Sequence, residues 1–143
     1  MPSLVHTVLR VHEAIYKATG GRVGHRVLGG MPTLLLHTVG RKSGAERVSA
    51  LTYLQDGDRW IVVASKGGSD VAPAWLHNVR AKPEVEVQIA RRQVPAVATV
   101  ITGEDPDYAR LWKGANKLNR GQYDAYQAKT KREIPLVVLT PTR

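Results

Sequence analysis

Residues 47–64, Arg47 to Ala64, read RVSALTYLQDGDRWIVVA, and this stretch decides the fold class. Two β-rich runs, Arg47–Leu54 and Arg59–Ala64, flank Asp56-Gly57-Asp58, a turn sequence with glycine where the backbone must reverse. That is a hairpin. Ile61-Val62-Val63-Ala64 is apolar without alternation, the pattern of a strand covered on both faces. Upstream, Thr33–Val39 is a further apolar run ended by Gly40-Arg41-Lys42-Ser43-Gly44, which predicts a strand and then a turn. Downstream, Val85, Val87 and Ile89 alternate with Glu84, Glu86 and Gln88, predicting a strand with one wet face. Arg91-Arg92 turns the chain, and Val94–Ile101 returns as a strand whose Pro95 favours an edge or a bulge. Ile134–Leu139 supplies the last strand.

Helical signals surround these strands. Leu4, Val5, Val8, Leu9, Val11, Ile15 and Ala18 recur at three and four, giving an amphipathic helix over about residues 3–19, stopped by Gly20-Gly21. Residues 20–30 hold five glycines and read as a connector. Asp70–Ala81 predicts a short helix with Asp70 as cap and Pro73 in the first turn. Thr102–Asp105 before Pro106 resembles a capping box, and Tyr108, Leu111, Trp112, Ala115 and Leu118 continue at helical spacing. Strands joined mostly by tight turns make an antiparallel sheet, not a doubly wound array. The expected architecture is a small α+β barrel with helices outside, one domain over residues 1–143.

The composition narrows the chemistry. The 143 residues contain no cysteine, which excludes disulfides, a catalytic thiol and thiolate metal sites. No apolar run approaches the ~20 residues a membrane span needs, and charges break the first 18 residues, so a cytoplasmic protein is expected. Lys and Arg number 21 against 12 Asp and Glu, a net charge of +9 that asks for an anionic partner. No block of five or six like charges forms a nucleic-acid arm. His6, His12, His25, His37 and His77 lack metal-ligand spacing, and Walker A, G-x-G-x-x-G and G-x-S-x-G signatures are missing.

Two short cationic turns stand out. Arg41, Lys42, Ser43 and Gly44, with Arg47 close behind, offer a hydroxyl and three cations on one turn. Such a group suits phosphate or carboxylate oxygens. Ser65-Lys66-Gly67-Gly68 repeats that chemistry after the hairpin's second strand. Both also read as ordinary solvated turns. Trp75 and Val79 suit a core-facing helix stripe, and Asn78 suits a cap or a ligand contact. Tyr123 and Tyr126 sit three apart and share a helix face, either as a packed pair or as two hydroxyl donors.

These residues together resemble the deazaflavin (coenzyme F420)-dependent nitroreductase family. The resemblance is carried by Leu35-Leu36-His37-Thr38-Val39-Gly40-Arg41-Lys42-Ser43-Gly44 with Arg47-Val48, and by Asp56-Gly57-Asp58-Arg59 into Val62-Val63-Ala64-Ser65-Lys66-Gly67-Gly68. Pro73-Ala74-Trp75-Leu76-His77-Asn78, Ala81-Lys82-Pro83 and the closing Ile134-Pro135 with Val137-Val138 follow in order, so the match spans about residues 33–139.

The resemblance implies a split β-barrel over residues 31–143 that binds coenzyme F420, a polyanion with a phosphodiester and an oligoglutamate tail. It assigns Arg41, Lys42, Ser43, Gly44 and Arg47 to the phosphate and tail, and counts Leu35, Leu36 and His37 of the preceding strand among the cofactor-binding residues. Val62, Val63, Ala64 and Ser65 would border the ring through their backbone and Lys66 through its side chain, with Pro73, Trp75 and Asn78 shaping the pocket. The implied chemistry is hydride transfer from the reduced cofactor to a quinone, a nitroaromatic or an activated double bond. Tyr123 and Tyr126 fall where the family places substrate-facing tyrosines, for proton donation or acceptor orientation. His37 departs from the small hydroxyl residue common at its position, and Ala45-Glu46 replaces a Q-P-like pair. The N-terminal helix has two uses by this resemblance, membrane contact or the favoured core packing. An FMN-binding split barrel and a basic nucleic-acid module are the rival readings.

Overall fold

The computed structural model describes residues 31–142. The expected N-terminal helix and glycine-rich connector lie outside them. The described chain forms seven strands and three helices in the order β1 (Thr33–Val39), β2 (Glu46–Thr52), β3 (Leu54–Asp56), β4 (Arg59–Val63), α1 (Ala74–Ala81), β5 (Glu84–Ile89), β6 (Arg92–Ile101), α2 (Tyr108–Leu118), α3 (Gln122–Ala128) and β7 (Leu136–Pro141).

Every strand pair is antiparallel, in one sheet of order β2-β1-β5-β6-β7-β4-β3. The run expected as one hairpin arm, Arg47–Leu54, is two strands. β2 pairs with β1 at one edge, while β3 pairs with β4 at the other, and Tyr53 alone separates them. In a flat sheet the outermost of seven strands would lie about 29 Å apart. A single residue spans no more than about 7 Å between its neighbours' Cα atoms. The sheet must therefore roll until its edges meet, and β2 does touch β4. Tyr53, 7% exposed and with its N–H donated to Pro32 O at 3.1 Å, is the corner where the chain crosses.

Rolling gives the sheet an inside and an outside, and strand alternation assigns side chains to each. Leu34 and Leu36 of β1, Trp60 and Val62 of β4, Val85 and Val87 of β5, Ala96 and Ala98 of β6, and Val137 and Leu139 of β7 fill the interior. Trp75, Leu76 and Val79 of α1 join this core. Outside, Ile61 and Val63 of β4, Leu136 and Val138 of β7, and Ile101 of β6 pack with Leu111 and Ala115 of α2 and Tyr123 of α3. β4 is covered on both faces, which explains its unbroken apolar run.

Four local expectations shift. Pro95 sits within β6, between β5 and β7, rather than on an edge strand. Pairing with β7 ends at Ala96↔Pro141, and the Pro95 carbonyl accepts the Thr142 N–H at 3.0 Å. A strand residue's N and O point to the same side, so the donor that proline lacks faces the end of β7. Helix α1 starts at Ala74 with Pro73 at its N-cap, and Asp70 caps nothing; its carboxylate accepts from Thr130 Oγ1 at 2.6 Å. Helix α2 begins at Tyr108, after a turn closed by Asp105 N–H to Thr102 O at 2.9 Å. The wet face of β5 stops at Gln88, which is buried opposite the equally buried Leu35.

Helix α2 is tied to the β3–β4 hairpin by charge. Arg110 Nη1 donates to Asp56 Oδ1 at 2.9 Å, and Arg59 bonds the other carboxylate oxygen. Hydrogen bonds from Arg110 and then Arg59 hold the Asp56 pKa down at about 2. A depressed carboxylate adds stability that is complete above its unfolded pKa, near 3.8, and is lost as pH falls through about 2. Asp56→Asn is expected to lower Tm by about 1–4 °C at neutral pH. Thermal scans from pH 7 to pH 2 should show that difference constant above pH ~4 and shrinking toward zero below it.

Candidate functional site

The turn between β1 and β2 is built by glycine chemistry. Gly44 N–H closes on Gly40 O at 2.8 Å, and Gly40 N–H on Ala45 O at 2.7 Å, with Gly44 at φ +72°. Glycine at 40 keeps the turn close: a Cβ there would stand 2.8 Å from Ser43 Oγ and 3.2 Å from Ala45 O, so the turn would have to shift to admit one. Ser43 Oγ accepts the Ala45 N–H at 3.1 Å, which rigidifies the turn. Arg41, Lys42, Ser43 and Gly44 are exposed on it.

The turn is locked to α1 through one side chain. Asn78 is 5% exposed; its Oδ1 accepts the Arg41 backbone N–H at 3.0 Å, and its Nδ2 donates to Thr38 Oγ1 at 3.2 Å. An amide N–H can only donate, so the carboxamide oxygen must face Arg41 and the amide orientation is settled. Thr38 lies on the same strand face as Leu34 and Leu36, so this link reaches the end of the barrel interior that α1 covers.

Between turn, β2 and α1 lies a cavity of about 530 Å³, lined by Gly40, Arg41, Lys42, Ser43, Arg47, Val48, Ser49, Ala74, Trp75 and Asn78. Arg41, Lys42 and Arg47 form no ion pair among the described residues. Three uncompensated cations at one side of a hollow with a tryptophan in its wall suit an anionic ligand with an apolar body. Among the described residues no cluster of His, Asp and Glu could hold a metal ion.

The structure brings Arg41, Lys42, Ser43, Arg47, Trp75 and Asn78 to this cavity and leaves other expected residues elsewhere. Gly44 shapes the turn without lining the hollow. Leu36 and Val62 are interior core, and Val63 faces the outer helices. Leu35 is buried on the opposite face of β1. His37 also points away, because alternation sets it opposite Leu36; its Nδ1 lies 2.8 Å from Glu46 Oε1, in a separate hollow with Glu84 and Glu86. Pro73 caps α1. Ala64, Ser65 and Lys66 continue from β4 into a turn where Ser69 N–H meets Lys66 O at 3.0 Å, with Gly67 and Gly68 at φ +60° and +85°.

Neither tyrosine ring lines the cavity. Tyr123 packs in the outer core at 6.2 Å from Trp112 and 6.1 Å from Tyr126, centroid to centroid. Burial, with Tyr126 close by, pushes its hydroxyl up to about 12. Tyr126 OH donates to Gln122 Oε1 at 3.0 Å. The lining residues not singled out for the site from the sequence are Gly40, Val48, Ser49 and Ala74; Gly40, Val48 and Ala74 lie within the motif blocks, and Ser49 had adjacency to Arg47-Val48 as its only signal.

With this geometry in place, comparison with known proteins decides the family. The family model for F420H(2)-dependent quinone reductases matches residues 8–141. The chain belongs to that family. An F420H(2)-dependent quinone reductase of Mycobacterium tuberculosis is 48% identical over 133 residues, covering 93% of this chain and 89% of the relative. A solved F420-H2 dependent reductase, FDR-A, superposes with a TM-score of 0.67 at 36% identity, over 76% of this chain and 93% of that one. A structure described as a domain-swapped dimer gives a TM-score of 0.69 at 31% identity, over 93% and 98% of the two chains. A Vibrio cholerae heme storage protein, at 19% identity and TM-score 0.60 over 78% of this chain and 82% of that one, shares the fold alone.

Membership makes the chain an oxidoreductase of split-barrel fold with coenzyme F420 as cofactor, and the FMN alternative gains no support. No helix among the described residues is long and apolar enough to cross a membrane.

Asn78→Ala would leave the Arg41 N–H and the Thr38 hydroxyl without their partner. The expected loss is about 2–3 kcal/mol of unfolding free energy, read from urea denaturation. Asn78→Asp should lose less, because a carboxylate still accepts from Arg41 and the Thr38 hydroxyl can rotate to donate.

Proposed function

We propose that this chain reduces quinones with reduced coenzyme F420 and holds the cofactor's anionic part at the Gly40–Gly44 turn. The observation that carries this reading is the trio Arg41, Lys42 and Arg47, unpaired among the described residues, beside a hollow of cofactor size. The residues suit the group: the close turn presents Arg41 and Lys42 exposed, with the half-buried Arg47 beside them on the same hollow.

Bound there, coenzyme F420 supplies the hydride, and the protein supplies orientation, charge and dryness. Arg41, Lys42 and Arg47 neutralise phosphate and carboxylate oxygens, each charge-assisted bond contributing about 1.5–3 kcal/mol. Asn78 fixes the Arg41 backbone, so the cations meet the ligand preorganised. Trp75 and Val48 offer an apolar wall against the ring and exclude water from it. Lys66, exposed on its own turn, is assigned to the far border of the ring, where its ammonium would serve as a cationic hydrogen-bond donor.

Tyr126 is assigned to orient the acceptor through its exposed Gln122-bonded hydroxyl, and Tyr123 to support that ring from the core. A phenol held near 12 stays protonated at neutral pH, so Tyr123 can donate a hydrogen bond but is poorly matched for proton transfer. Nitroaromatics and activated enones are the further acceptors of the same reading.

Titration of tryptophan fluorescence with coenzyme F420 tests it, since Trp75 borders the hollow. Lys42→Ala is expected to raise Kd about tenfold, and raising the salt concentration should weaken the wild type more than the variant. An unchanged Kd would take Lys42 off the binding path. Absence of quinone-dependent reoxidation of the reduced cofactor would sink the activity itself.

A further inference from the structure

The Ser65–Ser69 turn carries two glycines in left-handed conformations, a segment with much conformational freedom to lose. Its fixation comes from outside its own strand. Arg132, in the connection between α3 and β7, reaches both ends of the segment: Nη2 donates to Ala64 O at 3.2 Å and Nε to Ser69 O at 3.1 Å. Arg132 forms no ion pair among the described residues. Its guanidinium, whose donors form a rigid planar fork, is applied to two carbonyls five residues apart.

The arginine is itself held in place. Its backbone carbonyl accepts from Gln127 Nε2 at 2.8 Å, and Gln127 Oε1 accepts the Ile134 N–H at 2.9 Å. Thr130 adds a third tie through the 2.6 Å bond to Asp70 Oδ1 and also receives the Arg132 N–H on its hydroxyl at 3.3 Å. Gly68 lies flat against the same connection, with its Cβ position 3.1 Å from Tyr126 O and 3.0 Å from Lys129 Cδ. Three residues after Asp70 the chain reaches Pro73, the N-cap of α1, and then Ala74 and Trp75 of the cavity wall.

We propose that Arg132 and Thr130 are positioning residues: they clamp the Lys66 turn and, through it, the start of α1 to the α3–β7 connection. The clamp joins the segment bearing Tyr126 to the segment bearing Lys66, so the two sides of the site move as one body. Its effect on cofactor binding rests on the reading that Lys66 borders the ring; its effect on the turn does not.

Limited trypsin digestion of the full chain without cofactor reads the clamp directly. Cutting after Lys66 requires that turn to open, while cutting after Arg91, in the exposed β5–β6 turn, serves as the internal reference. Arg132→Gln is expected to speed the Lys66 cut about tenfold or more relative to the Arg91 cut, from the loss of two charge-assisted hydrogen bonds. Arg132→Lys should fall between, since an ammonium cannot bridge both carbonyls in the same geometry. Thr130→Val, a milder change, should move the ratio the same way by about two- to threefold. An unchanged ratio, or equal acceleration at both sites, overturns the clamp.

Binding of coenzyme F420 supplies the second arm. Arg132→Gln should raise Kd about five- to tenfold, and adding Lys66→Ala should cost no more than Lys66→Ala alone. Fully additive losses overturn the route through Lys66. If Lys66→Ala alone leaves Kd unchanged, the assignment of Lys66 to the cofactor fails, and the ratio of cuts still decides the clamp.

Discussion

The single residue Tyr53 between β2 and β3 is the constraint on which the rest of the structure depends. It requires the two outermost strands of a seven-stranded sheet to come within one residue of each other. The sheet can satisfy that only by rolling, and rolling separates an interior packed by alternate residues from an exterior open to helices. α1 then seats Trp75, Leu76 and Val79 in the interior core, while α2 and α3 cover β4 and β7 from outside. The β1–β2 turn projects beyond the barrel end beside α1, and the cavity is the space left between them.

What makes that space a site is the separation of roles between polar groups. Asn78 is buried and spends its amide on the protein, on Arg41 N–H and Thr38. Arg41, Lys42 and Arg47 keep their charges free of ion pairs among the described residues. At Asp56, by contrast, Arg59 and Arg110 share one carboxylate and hold α2 on the hairpin. Part of the net charge of +9 is gathered at one hollow, where Arg41, Lys42 and Arg47 stand together. The family assignment accords with this distribution, since coenzyme F420 is anionic at one end and a flat ring at the other.

Much of the fold was legible because alternation and turn chemistry are local. The Asp56-Gly57-Asp58 turn, the doubly covered β4 and the strand boundaries at Thr33–Val39 followed from the residues themselves. The misplacements share a cause. Arg47–Leu54 read as one strand because nothing in its residues marks a corner at Tyr53; the corner exists only because two different partners compete for its halves. Pro95 read as an edge residue because local rules cannot see that β7 ends beside it. Asp70 read as a cap because its partner, Thr130, is sixty residues away.

The same division holds at the site. By itself the sequence determined the antiparallel class, the cationic turn, the family and thus the cofactor, since these rest on residue types at short spacing and on ordered motif blocks. Only the tertiary structure decided which motif residues share a cavity: His37 and Val63 face away by strand alternation, Tyr123 is in the outer core, and Val48, Ser49 and Ala74 enter the wall. It also decided that Arg132, which carries no motif signal of its own, reaches across to the Lys66 turn. Side-chain direction and long-range closure depend on how the sheet rolls, and the roll is a property of the whole chain rather than of any stretch within it.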